Sequence, residues 1–291
     1  KLVNQGMIQG RSNFVYRANE NFAEHYFGDL LKKNLSSYEK NVLIEGADGH
    51  TFSADFACRF SKVVIELRSI SDLERYYDKH KKDVESAGYI FLPISIEEVF
   101  YNYHQPEVLM DKVRNAESSE PIMDYCCNTA LFISKDEVHD RRHVSSFHVD
   151  VSMVSEKDEL DMEAFAKSRL DLDYCRFYTN DNGQYICGHQ VEKMSKSKFN
   201  VVNPDDVVAK YGTDTFRLYE MFLGPLDQAK PWDTQNIGGT SKFLRKFYHL
   251  FYSESGELIL TDDEASKVEL KILHTCIKKV TEDLEGFRFN T

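Results

Sequence analysis

The chain has 291 residues, of which 42% are hydrophobic and 13% aromatic, and its formal net charge at pH 7 is −12. This length accommodates two or three domains, and the hydrophobic content excludes disorder as the default state. The negative charge excludes a general nucleic-acid coat, which needs a broad basic face, but it leaves room for a local basic path. No apolar run approaches the ~20 residues that span a bilayer, and no signal-peptide pattern opens the chain.

Six cysteines are spread along the chain without any Cys-x-x-Cys spacing. We therefore expect neither a zinc site nor a disulfide framework, and we interpret the cysteines as reduced thiols of a cytoplasmic protein. The chain opens inside what reads as a folded unit, so we expect it to be a fragment of a longer protein.

The first half of the chain predicts a strand-like segment at residues 13–17, followed by an α/β unit at 18–127 with its own core. Hydrophobic periodicity gives this unit the element order α-β-β-β-α-β-α. Its predicted helices are 22–33, 72–87 and 96–113, the last with a break at Pro106, and its predicted strands are 41–46, 50–58, 62–68 and 89–93.

Two acidic residues of this unit, Asp55 and Glu66, lie in neighbouring predicted strands. Because side chains alternate along a strand, Val64, Glu66 and Arg68 share one face. A carboxylate among apolar strand residues is costly unless it is paired or ligates a cation, so Asp55 and Glu66 are candidate ligands of Mg²⁺. In the alternative, the permanently charged Arg68 pairs with one of them and leaves no metal site.

From residue 128 the pattern returns to strands and then changes to helices. The predicted elements are strands at 130–134 and 147–154, a helix that starts at 160–165, a hairpin over 176–188, and helices at 207–210, 214–222, 241–252 and 267–287. His148 and Asp150 share one face of a predicted strand, and we interpret this histidine as structural rather than as a base. The aromatic stripes of the last two helices indicate bundle core rather than a platform for bases.

The most distinctive segment is Lys-Met-Ser-Lys-Ser at residues 193–197, which Lys198 follows. Closely spaced lysines among small hydroxyl residues predict a short flexible loop with concentrated positive charge. Ammonium groups, serine hydroxyls and backbone N–H groups suit a polyphosphate. The alternative is a solvated basic turn.

This loop resembles the signature loop of the class I aminoacyl-tRNA synthetases. Segments 4–8, 147–151 and 219–234 narrow the resemblance to the leucyl-tRNA synthetases, over roughly residues 1–17 and 128–291. The resemblance implies an α/β fold followed by an α-helical domain. The implied domains are catalytic segments at 1–17 and 128–202, an inserted unit at 18–127, a stem-contact region at 203–240, and the start of a helical anticodon-stem-binding domain at 241–291.

The resemblance also implies the activity, which is activation of leucine by ATP with Mg²⁺ and transfer to tRNA(Leu). It implies a cytoplasmic monomer that is not bound to a membrane. Lys193 and Lys196 are the implied catalytic residues, and Lys198 is auxiliary or solvated. The implied ATP-binding residues are Met194, Ser195, Lys196 and Ser197. The His-x-Gly-His signature and the editing domain do not occur in the sequence, so we expect the isolated chain to be inactive.

The inserted unit resembles the very-short-patch-repair-like branch of the PD-(D/E)xK nucleases in its element order and in Asp55 and Glu66, with Glu24 at the position of an additional acidic residue. It departs from that family where Arg68 and Ser69 replace the usual Asp-Gly pair. We interpret the unit as a retained fold with an ion pair in place of the metal. The alternatives are a metal-dependent nuclease and a passive tRNA-docking module.

Overall fold

A computed structural model describes residues 6–46, 49–116, 128–234 and 236–290. The chain divides into two compact units: the larger unit, residues 13–188, and the loop unit, residues 1–12 with 189–291. Strand β1 (Ile8–Ala18) contributes residues to both. Residues 4 and 5 of the predicted segment 4–8, and residue 127 at the predicted domain boundary, lie outside the described residues.

After β1 the larger unit continues with α1 (Glu20–Asn34), β2 (Glu39–Glu45), β3 (Thr51–Cys58), β4 (Val63–Arg68), α2 (Ile70–Ser86), β5 (Ile90–Ser95), α3 (Ile96–Tyr101) and α4 (Pro106–Arg114). Strands β2 to β5 form a sheet in that order, in which β4 and β5 pair in parallel and the other neighbours antiparallel. The predicted element order is confirmed. The last helix is divided at residues 102–105 because Pro106 favours the first turn of a new helix.

The two faces of this sheet bury different residues because side chains alternate along each strand. On one face, Val63, Ile65 and Leu67 of β4 join a core formed with α1, α3 and α4. On the other face, Val64 of β4 packs in a second core with Val84 of α2. The predicted separation of odd and even residues in β4 is therefore confirmed.

The second sheet of the larger unit uses the remaining strands. The chain continues with β6 (Thr129–Ile133), β7 (Val144–Val149), α5 (Met162–Ser168) and β8 (Tyr174–Tyr178). Strand β1 pairs antiparallel with β6 and β7, and β6 pairs in parallel with β8.

Strand β6 contributes to two cores. Leu131 and Ile133 lie in the core formed by α1, α3 and α4, whereas Ala130 and Phe132 lie in another core with Phe165 of α5. This follows from the alternation of side chains along β6. On that face, residues 18–127 therefore share their core with β6, and the expectation of a fully separate core is corrected.

The predicted hairpin over residues 176–188 is wrong. A turn does close between Asn180 and Gln184, whose backbone groups are hydrogen-bonded at 3.0 Å. Beyond it, however, Ile186 forms a bridge with Glu159. Strand β8 takes β6 as its parallel partner, and a long-range pairing of this kind outweighs the local turn signal.

The expectation that His148 and Asp150 share a strand face is also wrong. Strand β7 ends at Val149, and Asp150 caps a short 3₁₀ turn by accepting the N–H of Ser152 at 2.9 Å. The ring of His148 packs on Phe14, with 4.6 Å between the ring centroids. A structural role for this histidine agrees with that packing.

The loop unit contains β9 (Gly188–Lys193), α6 (Pro204–Tyr211), α7 (Thr213–Phe222), β10 (Lys230–Pro231), α8 (Ile237–Tyr248) and α9 (Lys267–Glu285). Strand β10 pairs in parallel with β1, Ile8 opposite Lys230, and β9 also pairs with β1. The core of the unit is formed by Val207, Tyr219, Trp232 and Ile237, with Met194 packed against it. This core therefore supports Met194, the residue that follows β9.

Helices α8 and α9 are confirmed, and their interpretation as bundle core stays a prediction, because their apolar stripes are exposed in the described residues. Phe243 and Phe247 are 58% and 52% exposed, and no residue of α9 is buried. Their apolar stripes have the spacing of a core face, yet no described element covers them. Within the described ranges, no helix is both long enough and apolar enough to cross a membrane.

Candidate functional site

The lysine-rich loop starts where β9 ends. Lys193 is the last residue of β9, and a 3₁₀ turn follows at Lys196–Lys198. Between them, Met194 packs against the core of the loop unit. The predicted loop is therefore attached to a folded core through the half-buried Met194, while Lys193, Lys196 and Ser197 are exposed.

The three lysines of the loop differ in their partners. Lys198 forms an ion pair through its Nζ with the Oε2 of Glu192, so the expectation that it is merely solvated is corrected. Lys193 and Lys196 are exposed, and neither forms an ion pair with any carboxylate that the structure describes. Two ammonium groups thus remain open to an external anion.

Two hydroxyl groups flank Lys196. The Oγ atoms of Ser195 and Ser197 are hydrogen-bonded to each other at 2.8 Å, and Ser197 is exposed. Ammonium groups beside hydroxyl donors are the chemistry that binds phosphate oxygens. The arrangement can therefore hold a polyanion by charge and by hydrogen bonds, without covalent participation.

Pattern reading missed one residue of this site, Asn200. It is 1% exposed and hydrogen-bonds to backbone groups of the loop and to Ser12 on β1. The only signal in the sequence is a polar residue at the point where the apolar pattern resumes with Val201. That signal is too weak to indicate burial.

The acidic residues of the larger unit form a cluster around a guanidinium. Arg68 lies with Nη1 3.3 Å from Oδ2 of Asp55 and with Nη2 3.4 Å from Oε2 of Glu66. The N–H of Leu67 also donates to Oδ2 of Asp55 at 2.8 Å. The predicted pairing of Arg68 is confirmed, and it involves both carboxylates.

Burial changes the acidity of this cluster. Glu66 is 2% exposed, and its Oε1 has no hydrogen-bond partner among the described atoms. Burial, followed by the charge of Asp55, raises the pKa of Glu66 to about 7, although Arg68 opposes the shift. Burial also raises the pKa of Asp55.

The geometry around the cluster bears on the metal prediction. Glu24 pairs with Lys40 at 3.0 Å, and after burial, the largest cause, its charge also raises the pKa of Asp55. In the part of the chain that the structure describes, no group of three or more His, Cys, Asp or Glu side chains is placed to hold a metal ion. Mg²⁺ ligation by Asp55 and Glu66 stays a prediction, with Arg68 between the two carboxylates.

The shifted pKa of Glu66 predicts how stability depends on pH. A carboxyl whose pKa is raised in the folded state stabilises the fold below its unfolded pKa, and this stabilisation is lost as the pH rises through the folded pKa. The pKa of Glu66 is about 7 in the folded state, against an ordinary value of 4.5. The unfolding free energy of the parent should therefore fall by about 3 kcal/mol between pH 4.5 and 8 because of this group, and Glu66→Gln should abolish that fall.

Urea denaturation of both proteins across that pH range measures this difference. Glu74→Gln, which removes an exposed carboxylate from α2, controls for the loss of one negative charge. Parallel pH profiles for the parent and Glu66→Gln would contradict the assignment.

A family model matches the segment that contains the loop. Residues 182–233 match the model described as class I tRNA synthetases for isoleucine, leucine, methionine and valine. This segment runs from the end of the larger unit through Lys193 and Lys196 to the core residue Trp232.

Curated relatives match about half of the chain. The leucine–tRNA ligase of Bacteroides thetaiotaomicron is 54% identical over 164 residues, which are 56% of this chain and 17% of that protein. The leucine–tRNA ligase of Porphyromonas gingivalis is 52% identical over the same shares, and that of Cytophaga hutchinsonii is 56% identical over 144 residues, 50% of this chain and 15% of that protein. The chain thus spans about a sixth of the length of these relatives.

Proposed function

We propose that the chain belongs to the leucyl branch of the class I tRNA synthetases and works as part of a leucine–tRNA ligase. The family-model match and the leucine–tRNA ligases that resemble half of the chain support this proposal. The observation that carries this proposal is the pair of exposed lysines, Lys193 and Lys196, with no described carboxylate on either. They lie in a loop that the half-buried Met194 and the buried Asn200 attach to the core.

The proposed first step is the activation of leucine. The leucine carboxylate attacks the α-phosphorus of ATP, the phosphoanhydride bond from the α-phosphorus to the oxygen that bridges to the β-phosphorus breaks, and pyrophosphate departs with the electron pair of that bond. Negative charge grows on the non-bridging and leaving oxygens. Lys196, aided by Lys193, stabilises this charge in the proposal, while Ser195, Ser197 and the backbone of Met194 shape the loop around the phosphates.

The proposed second step transfers leucine to tRNA(Leu). A terminal ribose hydroxyl of the tRNA attacks the adenylate carbonyl, and AMP leaves. Mg²⁺ enters this scheme with ATP as part of the substrate, bound to phosphate oxygens. We propose a cytoplasmic monomer, with catalytic segments at 1–17 and 128–202, a stem-contact region at 203–240 and an anticodon-stem-binding domain that starts at 241.

For residues 18–127 we propose a nuclease-like fold without the metal site. Its support is Arg68, whose guanidinium lies between Asp55 and Glu66. No comparable observation supports the two alternatives, a metal-dependent nuclease and a passive tRNA-docking module. A docking module for tRNA phosphates would need a basic face, but this segment carries 20 acidic and 12 basic residues, a formal charge of −8.

The experiment is pyrophosphate exchange by a full-length enzyme that carries this sequence. Exchange should depend on leucine and stay near background with methionine or valine, because the reaction requires the amino acid's carboxylate in the correct pocket. Exchange that does not depend on leucine would overturn the proposal. Incubation with Mn²⁺ and labelled tRNA, with Glu66→Ala as the control, tests the nuclease alternative separately.

A further inference from the structure

Asn200 holds the lysine loop from within the loop unit. Its Oδ1 accepts the N–H of Ser195 at 2.8 Å. Its Nδ2 donates to the Oγ of Ser12 at 2.8 Å and to the carbonyl oxygen of Lys193 at 3.3 Å. One buried side chain therefore ties two points of the loop backbone to β1.

The chemistry of these three partners selects an amide. The N–H of Ser195 can only donate, and the carbonyl of Lys193 can only accept. A carboxylate at position 200 has no donor for Lys193, and an aliphatic side chain leaves both backbone groups without this partner. The partners also determine which atom of the Asn200 amide is oxygen and which is nitrogen.

The neighbouring residue indicates that the backbone conformation here is imposed. Phe199 has a left-handed backbone, φ 52°, although its side chain is bulky and 49% exposed. Such a conformation is strained for a residue other than glycine and persists where surrounding contacts hold it. The next residue in the chain, Asn200, makes such contacts.

The facing strand makes room for this arrangement. A Cβ atom at Gly10 of β1 would lie 2.9 Å from Cγ of Met194 and still closer to the backbone oxygen of Asn200. Glycine at this position therefore lets the loop approach β1 as closely as it does. Gly10, Ser12 and Asn200 together form an anchor for the loop. Its two hydrogen-bonded residues, Ser12 and Asn200, are 188 positions apart in the sequence.

We infer that Asn200 is a positioning residue for leucine activation: it sets the backbone at Lys193 and Ser195 so that the two open ammonium groups face the triphosphate. This inference rests on the proposed function. Because Asn200 is 1% exposed, it acts in this inference through Lys193 and Lys196. Displacing those cations by about 1 Å is enough to lower the rate of the chemical step by about 10-fold to 100-fold.

The test is a double-mutant cycle in the full-length enzyme. Asn200→Ala should lower the kcat of leucine-dependent pyrophosphate exchange by about 10-fold or more, with the KM for leucine unchanged. If Asn200 acts through Lys196, the double variant Asn200→Ala/Lys196→Ala should be within about threefold of Lys196→Ala. Independent, multiplicative effects would overturn the inference.

A matched control and a second readout separate positioning from folding. Asn102→Ala removes another buried asparagine, 4% exposed, whose Nδ2 donates to the carbonyl of Glu98 at 3.0 Å. It should lower stability and leave the exchange rate unchanged. Amide hydrogen exchange at residues 193–199 should accelerate in Asn200→Ala and stay unchanged in Asn102→Ala.

The outcomes also separate this inference from the proposed function. A parent enzyme without leucine-dependent exchange overturns both the proposed function and the role of Asn200 in it. A parent with normal exchange and an Asn200→Ala variant of equal rate overturns the inference alone. Unchanged hydrogen exchange at 193–199 in Asn200→Ala refutes the anchor whatever the reaction.

Discussion

Lys196→Ala in a full-length enzyme that carries this sequence should lower the rate of leucyl-adenylate formation by about 100-fold or more. Lys196 is exposed at the start of the 3₁₀ turn, and none of the described carboxylates neutralises it. Its charge is therefore available to the pyrophosphate as negative charge grows on the leaving oxygen. Leucine-dependent pyrophosphate exchange at saturating ATP measures the loss.

Two further lysines serve as comparisons for Lys196. Lys210 is an exposed residue of α6, and Lys210→Ala should leave the rate near that of the parent. Lys198→Ala should have a smaller effect than Lys196→Ala, because Glu192 already neutralises Lys198. A Lys196→Ala rate within about threefold of the parent would refute the assigned role, since that difference is under 1 kcal/mol.

Arg68→Met should destabilise the larger unit by about 2–3 kcal/mol at pH 8. The guanidinium is the cation that pairs with both Asp55 and Glu66, of which Glu66 is 2% exposed. Removing it leaves two carboxylates in a site of low polarity. At pH 5 the loss should be smaller, because Glu66, with its raised pKa, is then protonated and needs no counter-charge.

Urea denaturation at both pH values measures the effect, and Arg59→Met is the control. Arg59 pairs with Glu39 at 3.7 Å on the surface, where both side chains are more than half exposed. Surface pairs of this kind contribute about 0–1 kcal/mol. Equal stability of Arg68→Met and the parent at pH 8 would show that the cluster does not depend on Arg68, and stabilisation of the parent by Mg²⁺ would revive the metal prediction.

The acidic cluster around Arg68 and the lysine loop thus differ in how their positive charges are used. The guanidinium of Arg68 pairs with Asp55 and Glu66, which favours a structural role for these two carboxylates. At Lys193 and Lys196, the cations remain open while the backbone beneath them is held by Asn200. A charge positioned in advance on an anchored backbone favours electrostatic catalysis, because little reorganisation is then left for the reaction itself.

Local patterns predicted most of the elements. Period-two alternation identified β4 and its two faces, and helical spacing identified α7 and α9. The predictions that failed depended on distant residues. The hairpin after β8 failed because β6 is the strand that pairs with β8. The core role of α9 stays a prediction, because its apolar stripe is uncovered in the described residues.

Sequence alone was sufficient for the chemistry of the loop, because lysines and serines at residues 193–197 carry their charge and hydrogen-bonding groups in any fold. It was also sufficient for the alternation that separates Glu66 from Ile65. Tertiary structure decided which charges stay open, through Glu192 beside Lys198 and Arg68 between Asp55 and Glu66. It also decided that Asn200 is buried against Ser12, since contacts between residues so far apart in the chain arise only when the strands have assembled.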